Sequence, residues 1–225
     1  MSEGPEMAHP AFYLQPVTEV LRTHWPENRA INIVCHGHSV PAGYFATPRV
    51  DSLNAYPHLL RLGLAERFPY AVINVIVTAI GGESSDAGAE RFERTVLTHR
   101  PDVVLLDYGL NDRRLGLDAA RSAWECMVIA AKEAHAAVLL LTPTPDMTQR
   151  DDAEADERRP LRDHAEQIRQ LAMEHQVGLV DSQLAADAYC QHTGELTDLL
   201  SWSNHPNRSG HVLVASALLR WFMPA

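Results

Sequence analysis

PDVVLLDYG, residues 101–109, places Val103, Val104, Leu105 and Leu106 in an unbroken apolar run. A strand with one face in water alternates apolar and polar residues. A run that is apolar at every position reads as a strand covered on both faces. AINIVC (30–35), AVINVIV (71–77), AAVLLLT (136–142) and VGLVDS (177–182) also run in Val, Ile and Leu rather than alternating. Between these runs the apolar residues fall at helical spacing. SLNAYPHLLRLGLAERF (52–68) puts Leu60, Leu64 and Phe68 on one face. Further helices are predicted over 88–100, 118–135, 159–176 and 207–222, with a short one within 16–29 ahead of the first strand.

Strands alternating with helices predict a three-layer α/β/α sandwich around a mostly parallel sheet of about five strands. Its crossovers should be right-handed, and ligands should gather beyond the C-terminal ends of the strands. Residues 1–225 read as one domain, with 1–29 as an N-terminal extension and short helix. The polar, proline-bearing stretch 142–160 follows the fourth strand. It is expected at the site rim, as a mobile flap or a plain solvated excursion.

Composition narrows the function. The 225 residues are enough for a sizeable core. Nineteen basic and 29 acidic side chains give a net charge of −10, which argues against nucleic-acid binding. Cys35, Cys126 and Cys190 form no CxxC pair, so neither a disulfide framework nor a cysteine zinc site is expected. The opening MSEGPEMAHP lacks the basic start and apolar core of a secretory signal. No apolar run reaches membrane-spanning length. The expectation is a cytoplasmic protein with no membrane insertion; nothing in the pattern specifies an oligomeric state.

The chemistry gathers in four separated blocks. CHGHSVPAGYF (35–45) follows the first strand. It lacks the lysine and glycine spacing of a phosphate loop, and Pro41 stands where a G-x-S-x-G nucleophile elbow needs its second glycine. It does place Ser39 at a strand end. IGGESS (80–85) lies just beyond the second strand, GLND (109–112) at the mouth of the third, and NHPNRSGH (204–211) before the last helix. Together they supply a hydroxyl nucleophile, an imidazole base, a glycine N–H and an asparagine amide, which is what acyl transfer requires.

On these four blocks, in this order, the chain resembles the SGNH, or GDSL-like, hydrolase family over nearly its whole length. The resemblance implies a flavodoxin-like fold, no cofactor and no metal. It implies Ser39 as nucleophile and His205 as base, with the Ser39 and Gly82 N–H groups and the Asn111 amide as the oxyanion hole. It also implies a small-molecule ester substrate, with a short acyl group such as acetyl on a sugar as first choice. A lysophospholipase or thioesterase of the same fold is an alternative, as is a catalytically weak or inactive hydrolase fold used for binding.

Two positions depart from the family pattern. GDS is replaced by Gly37-His38-Ser39, and the acid usual three residues before the base is replaced by Trp202. A base needs an acceptor at its other nitrogen. The backbone carbonyl of Trp202 is the preferred candidate, followed by Asp198 or Glu195, then Asp181. His38 reads as a loop histidine holding the Ser39 turn, or alternatively as a proton-transfer group or substrate contact. Tyr44, Phe45 and Trp202 are candidates to line the acyl or sugar pocket. Asp112 is expected to brace its loop through backbone or Arg113. Trp25 and Trp124 read as structural and His211 as a packing or surface residue. The histidines His36, His38, His205 and His211 match no specified zinc pattern.

Overall fold

The computed structural model describes residues 8–150 and 152–223. Five strands, β1 (Ala30–Gly37), β2 (Val72–Val77), β3 (Val103–Asp107), β4 (Ala137–Leu141) and β5 (Gly178–Val180), form one sheet in the order β2-β1-β3-β4-β5. Every neighbouring pair is parallel. The helices are α1 (Gln15–Leu21), α2 (Ser39–Ala42), α3 (Tyr56–Arg67), α4 (Ser85–Thr95), α5 (Gly109–Asp112), α6 (Leu117–Glu133), α7 (Ala155–Glu174), α8 (Ser182–His192) and α9 (Arg208–Leu219).

The unbroken apolar runs follow from the layering. Val103 and Leu105 join one core cluster with side chains of α1, α3 and α9, whereas Val104 and Leu106 join the other with α4, α6 and α7. Leu139 and Leu141 divide from Val138 and Leu140 in the same way. Full burial of one such side chain stabilises by about 1.5–3 kcal/mol. Successive side chains point to opposite faces, so both parities must be apolar. The expected three-layer sandwich is what forms.

Helix boundaries moved more than strand boundaries. The stretch 182–192, outside the helices expected from the sequence, is α8. The Asp181 side chain caps it by accepting the Leu184 N–H at 3.0 Å. Helix α7 starts at Ala155, four residues before the expected range of 159–176, and carries Pro160 inside it. The stretch 142–160 divides. Thr142 to Asp146 are buried, Arg113 pairs with Asp146 at 2.7 Å, and Met147 N–H bonds the Ser203 carbonyl at 2.8 Å. Trp25, expected to be structural, is 83% exposed.

The strand order has a topological switch between β1 and β3. The chain leaves β1 toward β2 on one side and returns to β3 on the other. In sheets of this kind the ligand crevice lies outside that pair of C-terminal ends. Residues 38–39 and 108–111 flank it.

Candidate active site

At the end of β1 the chain makes a single helical turn. His38 caps it, with Nδ1 accepting the Val40 N–H at 3.1 Å. Ser39 is the first residue of that turn, so its own N–H has no partner within the helix. Gly43, at φ +87°, ends the turn in the left-handed region, and Tyr44 N–H bonds back to the Ser39 carbonyl at 2.9 Å.

His205 reaches Ser39 from the other end of the chain. Its Nε2 lies 2.9 Å from Ser39 Oγ, and its Nδ1 lies 2.7 Å from the Phe45 carbonyl oxygen. A carbonyl only accepts, so Nδ1 carries the proton and Nε2 presents a lone pair to the serine hydroxyl. The loop that presents His205 is tightly wound: Ser201 N–H bonds the His205 carbonyl at 2.9 Å, and Asn207 caps α9 through Ser209 and Gly210 N–H groups.

The orienting group is therefore Phe45, and each sequence candidate is otherwise placed. Trp202 does not contribute the carbonyl at Nδ1, and its side chain is 57% exposed. Asp198 and Glu195 cap one another's backbone, with Asp198 accepting the Glu195 N–H at 2.9 Å. Asp181 binds Arg169 at 2.7 Å and Thr142 at 2.9 Å.

Phe45 is held by its own side chain. Its ring stacks on His211 at 5.2 Å. The His211 Nδ1 accepts the Tyr56 N–H at 3.2 Å, at the start of α3. His211 is thus a buried packing residue, and burial pushes its imidazole down to about 3. The Phe45 ring faces His211, and its backbone rather than its side chain meets the site. Tyr44 is half-buried with its ring 6.2 Å from that of His205.

Burial also lowers the His205 imidazole below the ordinary value of 6.5, with the Phe45 bond opposing part of the effect. A base must be neutral to accept the serine proton. The acid limb of a kcat/KM–pH profile should therefore have its midpoint below 6.5. A limb at or above that value would contradict the desolvated, carbonyl-bound imidazole.

The other two blocks meet across the crevice. Beyond the ends of β1 and β2, Thr78 N–H bonds the Cys35 carbonyl and Ile80 N–H the Gly37 carbonyl, both at 3.0 Å. This carries the loop forward to Gly82, whose φ of +81° suits glycine. Asn111, in the turn of α5, donates from Nδ2 to the Glu83 carbonyl at 2.9 Å. Asp112 accepts the Ser85 N–H at 2.8 Å and the Trp124 indole N–H at 2.7 Å. It braces its loop through backbone, as expected, but Arg113 serves Asp146 instead.

His38 turns away from the crevice. It is fully buried, and its Nε2 lies 3.5 Å from Oδ1 of Asp107, the last residue of β3. This removes it from the candidate substrate contacts. Burial pushes His38 down to about 3, with proximity to His205 and then Arg113 as smaller causes. Burial pushes Asp107 up to about 7, partly opposed by the Tyr56 hydroxyl. Asp107 closes the third strand. Its one signal was an acid closing an apolar run.

His36 is separate again. Its Nδ1 meets Thr78 Oγ1 at 2.8 Å and its Nε2 the Gly88 carbonyl at 3.1 Å. Among the described residues, no three His, Cys, Asp or Glu side chains are grouped so as to hold a metal ion. No described helix is long and apolar enough to cross a membrane.

Comparison with known proteins bears on the same stretch. The model of the GDSL-like Lipase/Acylhydrolase family matches residues 35–213. An acetylxylan esterase of Geobacillus stearothermophilus is 25% identical over 170 residues, spanning 68% of this chain and 74% of that protein. The crystal structure of Axe2, an acetylxylan esterase from the same organism, superposes with a TM-score of 0.75 at 22% identity, covering 87% of this chain and 95% of that one. LAE5, an alpha/beta hydrolase enzyme from the metagenome of Lake Arreo, Spain, superposes with a TM-score of 0.69 at 25% identity, covering 85% and 94%.

Proposed function

The chain belongs to the GDSL-like lipase/acylhydrolase family, a family of carboxylic ester hydrolases, and on that premise we propose that it is a serine esterase removing short acyl groups, acetyl first, from carbohydrate hydroxyls. The observation that carries the proposal is the dyad, with His205 Nε2 2.9 Å from Ser39 Oγ and Nδ1 on a carbonyl.

In this reading Ser39 Oγ attacks the acyl carbonyl while His205 takes its proton. The tetrahedral oxyanion is stabilised by the Ser39 and Gly82 N–H groups and the Asn111 amide. His205, now an imidazolium, protonates the leaving sugar oxygen, and the acyl-serine remains. A water then gives its proton to the same imidazole, attacks the acyl carbon, and releases the acid and the serine hydroxyl. The Phe45 carbonyl fixes the tautomer through both steps but brings no full charge. It therefore stabilises the imidazolium less than a carboxylate would.

The acyl preference draws on the similarity to the acetylxylan esterase. The sugar preference draws also on Trp202, an exposed indole three residues before the base on a loop tied down at both ends. A net charge of −10 disfavours anionic substrates.

An ester panel graded by acyl length tests the proposal. kcat/KM should be highest for acetyl and fall with each added methylene, and a preference for chains beyond about eight carbons would overturn it in favour of a lysophospholipase or thioesterase. On the same panel, W202A should raise KM for an acetylated xylo-oligosaccharide about tenfold, while leaving a small aryl acetate unaffected. Absence of both turnover and fluorophosphonate labelling would favour a hydrolase-fold binding protein.

A further inference from the structure

Among the buried charged groups that this mechanism leaves unused, one cluster touches both loops of the oxyanion site. We infer that Glu83 is a positioning residue whose clamped carboxylate and backbone carbonyl together hold the Gly82 N–H and the Asn111 amide in register. The inference rests on the reading of Gly82 and Asn111 as oxyanion donors.

Glu83 directly follows Gly82. Its Oε1 accepts the Arg91 Nε–H at 2.8 Å, its Oε2 accepts from a second nitrogen of the same guanidinium, and Tyr108 Oη donates to Oε2 at 2.9 Å. The Glu83 and Arg91 side chains are each only 9% exposed. Arg91 belongs to α4 and is held further by Thr95 Oγ1 at 3.2 Å. Tyr108 is fully buried and stands three residues before Asn111, whose own N–H bonds the Tyr108 carbonyl at 3.0 Å. One carboxylate thus joins the loop after β2, the helix α4 and the corner after β3.

The backbone of Glu83 closes the circuit. Its carbonyl accepts one N–H of the Asn111 amide at 2.9 Å. A primary amide is planar and has two N–H bonds. Bonding one of them to Glu83 sets the direction of the other. A shift of Glu83 would therefore move Gly82 and re-aim Asn111 together. A bidentate guanidinium–carboxylate pair is well suited to prevent that shift, because it restricts angle as well as distance. Plain stabilisation would not require such a pair, since apolar residues of similar volume serve as well or better.

The test uses the full chain with an acetyl ester and an alkyl boronic acid, which forms a tetrahedral serine adduct. Removing an oxyanion donor costs about 10²–10³ in kcat, so N111A should fall by that factor. E83Q should lower kcat about 10–100-fold and boronate affinity by a similar factor, with KM within about threefold. Y108F should move both in the same direction by less. E83Q should also cost less in the N111A background than in the parent, because it acts partly through Asn111. If E83Q does not fold, Y108F carries the test, since it removes one hydroxyl and keeps the shape. Wild-type kcat in Y108F and E83Q beside an impaired N111A would overturn the inference alone, as would full additivity of E83Q with N111A. Wild-type kcat in N111A would overturn the oxyanion reading itself.

Discussion

Replacing Ser39 by alanine should lower kcat for an acetyl ester by about 10⁴–10⁶-fold, with the fold unchanged. In the proposed mechanism the Ser39 hydroxyl oxygen is the atom that bonds the acyl carbon. His205 is hydrogen-bonded to it at 2.9 Å. Members of such a pair act as a unit, so H205A should cost nearly as much and the double variant little more. Fluorophosphonate labelling should vanish in S39A. D198A, by contrast, should keep kcat within a few-fold, because Asp198 serves Glu195 while Phe45 holds the imidazole. More than a hundredth of parental turnover in S39A would sink the assignment of the nucleophile. A collapse in D198A would sink the carbonyl-held dyad.

Replacing His38 by aspartate should destabilise this protein by about 3–5 kcal/mol at pH 8. The reason is Asp107. The substitution would set two carboxylates against each other in a site where both His38 and Asp107 are buried. Asp107 already has a folded value raised from 3.8 to about 7. A group raised in this way stabilises the fold below its unfolded value and loses that contribution as pH rises through its folded value. A second carboxylate raises it further, so the deficit of H38D should widen as pH rises and narrow toward pH 5. For a chain of this size the loss at pH 8 corresponds to roughly 6–20 °C in Tm. H38D/D107N should recover most of it, because the amide can donate to the new carboxylate. Thermal melts across pH decide: a parental Tm in H38D at pH 8 would show that the pair is not what makes His38 fit.

The helices were less legible in sequence than the strands, and the reasons are local. A strand buried on both faces must be apolar at every position, so 103–106 could hardly be read otherwise. Helix α8 shows little periodicity, and its start depends on Asp181 turning its side chain onto Leu184 N–H. The interior Pro160 of α7 likewise contradicts the local rule that ends helices near proline. Nothing in the sequence marks Glu83, Arg91 and Tyr108, because their pairing spans three elements and each alone resembles an ordinary surface or core residue.

What the sequence determined by itself was the architecture and the meeting of four blocks. Five parallel strands, each followed by a helix, leave their C-terminal ends on one edge. The Ser39–His205 approach was legible because Ser39 follows the end of β1 and His205 precedes the helix α9. Only the tertiary structure decided what holds His205. The acceptor is a backbone carbonyl, a group that every residue owns and no letter marks. Phe45 supplies it because Gly43 turns the chain after Ser39 and because the Phe45 ring stacks on His211. Those contacts join residues some 160 positions apart. The same holds for His38, whose imidazole lies 3.5 Å from the carboxylate of Asp107 at the end of the neighbouring strand. Local sequence specifies which backbone turns; which carbonyl then faces an imidazole is set by how distant elements pack.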